Sequence, residues 1–117
     1  MISYVATPYS KYPDGLHRAF IDASIIIAKL IDKGIYAYSP ICHTHPVAIY
    51  GGLDPLDHNL WLEFDQAMMK VSSSLIVAHL EGWNRSFGIA HEIEFFSAAG
   101  KPIYDLDPET MEMILRS

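Results

Sequence analysis

Four short apolar runs, at residues 2–6, 35–39, 75–78 and 102–106, are separated by stretches whose apolar residues recur at helical spacing. This alternation constrains the chain more than any other feature. Strands that alternate with helices pack as a mostly parallel sheet with helices on its faces. Parallel neighbours then need crossovers, which are right-handed. The fold expected is α/β: a three-layer sandwich around a mostly parallel sheet of four or five strands, flavodoxin- or Rossmann-like. At 117 residues it is read as a single domain spanning 1–117.

Between the runs, Leu16, Phe20, Ala23, Ile27, Leu30 and Ile31 mark a first helix from Asp14, with Gly34 as its stop. The breadth of that apolar face suggests burial on two sides. Pro8 ends the first strand and Pro40 breaks the second. The following ICHTHPVAIYGGLDP reads as a long irregular segment, functional rather than disordered. Leu60, Trp61, Phe64, Met68 and Val71 place a helix over 57–71, and another is expected over 82–99. A final helix is expected over 108–115, with Asp107 as N-cap and Pro108 at N1.

Composition narrows the function classes. Half the residues are hydrophobic and 19% are charged, which excludes a disordered chain. A net charge of −6 argues against a nucleic-acid polymer as partner, though a single small anion is compatible with it. One cysteine, Cys42, permits no intrachain disulfide and fits a cytoplasmic setting. The opening MISYVATPYS does not read as a signal peptide, and no apolar run reaches membrane-spanning length.

In an open parallel sheet ligands collect at the carboxyl ends of the strands, here after Ala6, Ser39 and Ala78. After the third strand, HLEGWNRSFGIAHE offers Gly82 and Gly88 for tight backbone paths and Ser86 as a helix cap. That entrance is either an ordinary capped helix or an anion seat. Ile89, Ile93 and Phe96 define the buried face of the helix, Glu92 lies on its flank, and Glu94 projects away. Glu92 is either solvated or half-buried and reactive. Tyr4 is either a core aromatic or the partner of a carboxylate in the same cleft. Asp65 follows Trp61 and Phe64 on a core-seeking helix, and a second carboxylate near Glu92 would allow one ionised group and one acid. His43 and His45 would share a face only on a strand, and no further ligand cluster stands at metal spacing, so no metal is expected. They are read as ligand hydrogen-bonders or lid residues. Cys42 is read as packing, and His17, His58, His79 and His91 as surface or satisfied groups. GxGxxG, GxxxxGK[ST] and GxSxG are all absent, and no cofactor is expected.

Taken together, "YVATPYS", "WLEFD" and "GWNRSFGIAHE" resemble the nucleoside 2-deoxyribosyltransferase superfamily, which includes deoxynucleoside-monophosphate N-glycosidases; the closer likeness is to a small bacterial and phage branch. The resemblance implies that Glu92 attacks the anomeric C1′ carbon and displaces the base, and that Tyr4 orients it. It implies that Asp65 binds a sugar hydroxyl or assists base departure. The helix entrance at Ser86 and Gly88 would hold a 5′-phosphate, with Pro8, Tyr9, His45 and Trp83 completing the substrate-binding set. It further implies a nucleoside or nucleotide as small-molecule partner and a homodimer or higher homo-oligomer. A nucleotide-binding or sensing module without catalysis is the alternative.

Overall fold

The structure, a computed structural model, describes all 117 residues. The elements run β1 (Ser3–Ala6), α1 (Leu16–Asp32), β2 (Ala37–Tyr38), α2 (Pro40–Gly51), α3 (His58–Val71), β3 (Ser74–Ala78), a 3-10 turn (Trp83–Arg85), α4 (Phe87–Ala98), β4 (Ile103–Leu106) and β5 (Met113–Leu115). The sheet order is β2-β1-β3-β4-β5, parallel except for β5, which pairs antiparallel with β4. This is a three-layer, Rossmann-like α/β fold of the doubly wound kind.

Register sets what each face carries. Tyr4 pairs with Tyr38 on one side and Leu75 on the other, and Leu75 pairs with Ile103. That row therefore projects from one face, where Met69 of α3 and Ile89 and Phe96 of α4 close over it. The next row, Val5 and Ile76, projects from the opposite face against Ile26 and Leu30 of α1. Each β3 residue is buried, as expected for a central parallel strand covered on both faces.

α1 uses its apolar breadth unevenly. Ala19, Ala23, Ile26 and Leu30 are buried, Phe20 and Ser24 turn toward α2, and Ile25 and Ile31 stay exposed. On α3, Trp61 and Met69 are buried while Leu60, Phe64 and Val71 are exposed. The end of α3 is held by Lys101, whose Nζ donates to the carbonyls of Met69, Lys70 and Ser72 at 3.2, 2.9 and 2.7 Å. A cation on the unsatisfied carbonyls of a helix end is favourable by charge and by hydrogen bonding. It fixes α3, and with it Asp65, against the chain leaving α4.

Two segments differ from the sequence expectation. Residues 41–55 are not irregular, because α2 occupies most of them. Pro40 starts that helix rather than merely ending a strand: it sits at N1, and Ser39 accepts from the Cys42 amide at 3.2 Å. Pro46 is tolerated inside the helix, and Gly52, at φ 74°, closes it. The expected helix over 108–115 is a turn followed by β5. Asp107 does cap, accepting from the amides of Glu109 and Thr110, but what it caps is a hairpin turn closed by Asp107 N to Glu112 O at 3.0 Å. Eight residues cannot separate a helical period from a strand. No helix is long and apolar enough to cross a membrane.

Candidate functional site

Tyr4, on the interior strand β1, is fully buried, yet its hydroxyl lacks a hydrogen-bond partner of ordinary geometry. The same is true of Tyr38 Oη and Asp65 Oδ1. A buried polar group without a partner costs about 1–3 kcal/mol, so a concentration of them in one place calls for an explanation. Tyr4 and Tyr38 stand side by side on their strands, ring centroids 5.7 Å apart, and Phe96 of α4 packs on Tyr4 at 5.9 Å. Asp65 descends from α3 and Glu92 from the second turn of α4. The charge of Asp65 reaches both phenols and Glu92, so four side chains from four elements lie near one another under α3 and α4.

Their ionisation reflects that enclosure. Burial pushes the Glu92 carboxyl up to about 8, Asp65 adding to the effect and the Tyr4 hydroxyl opposing it. Burial pushes Asp65 up to about 6. Tyr4 is held far above the ordinary tyrosine range by burial and by the neighbouring carboxylates of Glu92 and Asp65, and Tyr38 is pushed up to about 12. Burial thus favours the neutral form of both phenols and of both carboxyls, of Glu92 more than of Asp65. Glu94, two residues on, is exposed.

A family model described as a domain of unknown function, DUF1937, matches residues 1–107. The chain belongs to that family. No curated protein matches it. The span matched to DUF1937 holds Tyr4, Tyr38, Asp65 and Glu92 and stops before β5.

The other residues singled out in this DUF1937 chain lie just after β1, on α2, and between β3 and the first turn of α4. Ser86 is the N-cap of α4, its Oγ accepting from the Ile89 amide at 3.3 Å. Gly82, at φ 85°, needs its freedom of backbone. Gly88 does not, since a Cβ there would meet Ser86 Oγ at an ordinary 3.9 Å. Trp83 lies flat on His79, centroids 3.8 Å apart and 11° from parallel, rather than standing free. Pro8 is buried at the end of β1. His45 is also buried, with both ring nitrogens engaged: Nδ1 with Tyr9 Oη at 2.7 Å and Nε2 with His17 Nδ1 at 3.3 Å. Burial and His17 lower its pKa, which favours a neutral imidazole. His43 points the other way from α2, stacking on Phe64 at 4.7 Å.

Two groups escaped the sequence reading. Tyr38 carries the same parity on β2 as Tyr4 on β1, a signal that becomes visible only with the register. Asp105 accepts from Arg116 at 2.6 and 3.1 Å and lies 2.8 Å from His79 Nε2, a set completed by the residue that follows β5, where the sequence pattern predicts a helix.

Proposed function

We propose that this protein cleaves or exchanges the N-glycosidic bond of a nucleoside or nucleoside 5′-monophosphate through Glu92. The observation that supports the reading is the proximity of Glu92 and Asp65, two carboxyls raised to different extents by burial, to the buried Tyr4 hydroxyl under α3 and α4. Carboxyl pairs with separated pKa values divide acid and nucleophile roles.

In this scheme substrate binding moves a proton from Glu92 to Asp65. Glu92, ionised and steadied by the Tyr4 hydroxyl, attacks C1′ as the bond from C1′ to the base nitrogen breaks. Asp65 gives its proton to the departing base. Water, activated by the now ionised Asp65, or a second base then displaces Glu92 from C1′ and restores the free carboxyl pair. Positive charge on the sugar in the transition state is stabilised by the carboxylate beneath it. The uncapped amides at the start of α4 and their partial positive charge would suit a 5′-phosphate.

Incubating the protein with a panel of nucleosides and 5′-monophosphates, with and without an acceptor base, tests this by chromatography of the products. Free or exchanged base is expected from the wild type and not from Glu92→Gln. Equal release by the variant contradicts the reading.

A further inference from the structure

β5 stands at a free edge of the sheet, and its three residues, Met113, Ile114 and Leu115, are all apolar and exposed. The opposite edge is β2, whose two residues leave little backbone for another strand to join. β5 lacks the usual devices that blunt an edge: no lysine, proline or bulge interrupts residues 113–115. Its ladder with β4 fixes which backbone groups stay free. Asp107 N donates to Glu112 O at 3.0 Å, and Arg116 N donates to Ile103 O at 2.8 Å. Residues 112, 114 and 116 thus turn their backbone groups inward, and Met113 and Leu115 turn theirs toward the unpaired side.

The side chains along this stretch are placed symmetrically. Glu112, Ile114 and Arg116 share one face of the strand, an acid and a base at equal distances from an apolar centre. Glu112 is exposed and forms no ion pair within its own chain. Arg116 gives Nε and Nη2 to Asp105, which steadies the guanidinium and leaves Nη1 free.

The geometry points to a second copy of this chain as the occupant of the edge, the two β5 strands pairing antiparallel about a twofold axis at Ile114. Ile114 then faces its counterpart, and Met113 and Leu115 of each copy exchange backbone hydrogen bonds with Leu115 and Met113 of the other. Glu112 of each copy meets Arg116 of the other, so both charges gain a partner. Centring the pair on Met113 instead would set Glu112 against Ile114, and a parallel pair in register would set like charges together. A twofold contact uses both edges and closes at two copies, with the five-stranded sheets joined into one. The pairing does not depend on the proposed reaction.

Sedimentation of the full chain over a concentration series reaching about millimolar reads the association, which is expected to be weak for a contact of this size. Register is read by cross-linking. Ile114→Cys under mild oxidation is expected to form a disulfide between the two copies of that position, because a non-hydrogen-bonded antiparallel pair brings its Cα atoms to about 4.5 Å. Met113→Cys should form none, since its counterpart lies two residues out of register. Peptide mapping separates either bond from one made through Cys42. Leu115→Pro removes an outward amide and no inward one, and is expected to abolish the dimer. Glu112→Arg should weaken it about tenfold by setting two pairs of like charges together. Circular dichroism checks the fold of each variant. A chain that stays monomeric throughout and forms no disulfide in Ile114→Cys overturns the proposal. Equal cross-linking in Met113→Cys, or a dimer that withstands Glu112→Arg in folded protein, overturns it as well.

Discussion

Two polar clusters, one at the β4–β5 edge and the other beside β1 and β2, treat a carboxylate in opposite ways. At the β4–β5 edge, Asp105 is matched by a bidentate Arg116 and by His79, and these partners hold its carboxyl below the ordinary range. Under α3 and α4, Asp65 and Glu92 have no cation beside them, their carboxyls are raised, and three nearby polar atoms lack partners. The first cluster is satisfied and ties the last strand to the sheet. The second is left unsatisfied inside an otherwise well-packed core, where apolar residues of the same shape would be more stable. Such local inconsistency is what singles out the second cluster as the candidate site.

Substitutions should separate the two. Glu92→Gln is expected to lower base release at least about a thousandfold, with the fold retained, as steady-state kinetics and circular dichroism would register. Asp65→Asn should lower kcat by about ten- to a hundredfold and remove one limb of the pH profile, read with the same assay across pH. Asp105→Asn should do the reverse. Activity should stay within about threefold while stability falls by about 1–3 kcal/mol, measured by urea denaturation, because the Arg116 guanidinium loses its acceptor.

The smallest effect is in the pH dependence of stability, and its sign differs between the clusters. Glu92 binds its proton more tightly in the folded chain, so its contribution is greatest below its ordinary 4.5 and is lost as pH rises toward about 8. Asp65 acts in the same sense up to about 6. Asp105 acts in the opposite sense, contributing above its ordinary 3.8 and losing that as pH falls through its lowered value. Glu92→Gln should therefore melt above the wild type at pH 8, by about 1–2 kcal/mol, with the gap closing toward pH 5. A gap that does not depend on pH would place Glu92 outside the buried cluster.

How much of this was legible in the sequence depended on range. The apolar runs and helical periods announced the α/β architecture, because both are local patterns. Pro40 misled, since a proline that ends a strand and one that starts a helix look alike until Ser39 is seen capping. The last ten residues misled because an antiparallel edge strand of three residues has too few positions to show its period. At the site, the flank position of Glu92 could be read from one helix, whereas Tyr38 needed the pairing of β1 with β2. His45 and Trp83, read as contacts for a substrate, have partners within the protein, which sequence spacing does not reveal.

The central claim is that Glu92 forms a bond to a sugar carbon. Acid quenching during turnover of a nucleoside substrate, followed by peptide mass mapping, tests it most directly. The account predicts a glycosyl adduct on the peptide bearing Glu92, absent in Glu92→Gln. Base release that continues undiminished in that variant, with no adduct on the wild-type peptide, would contradict it.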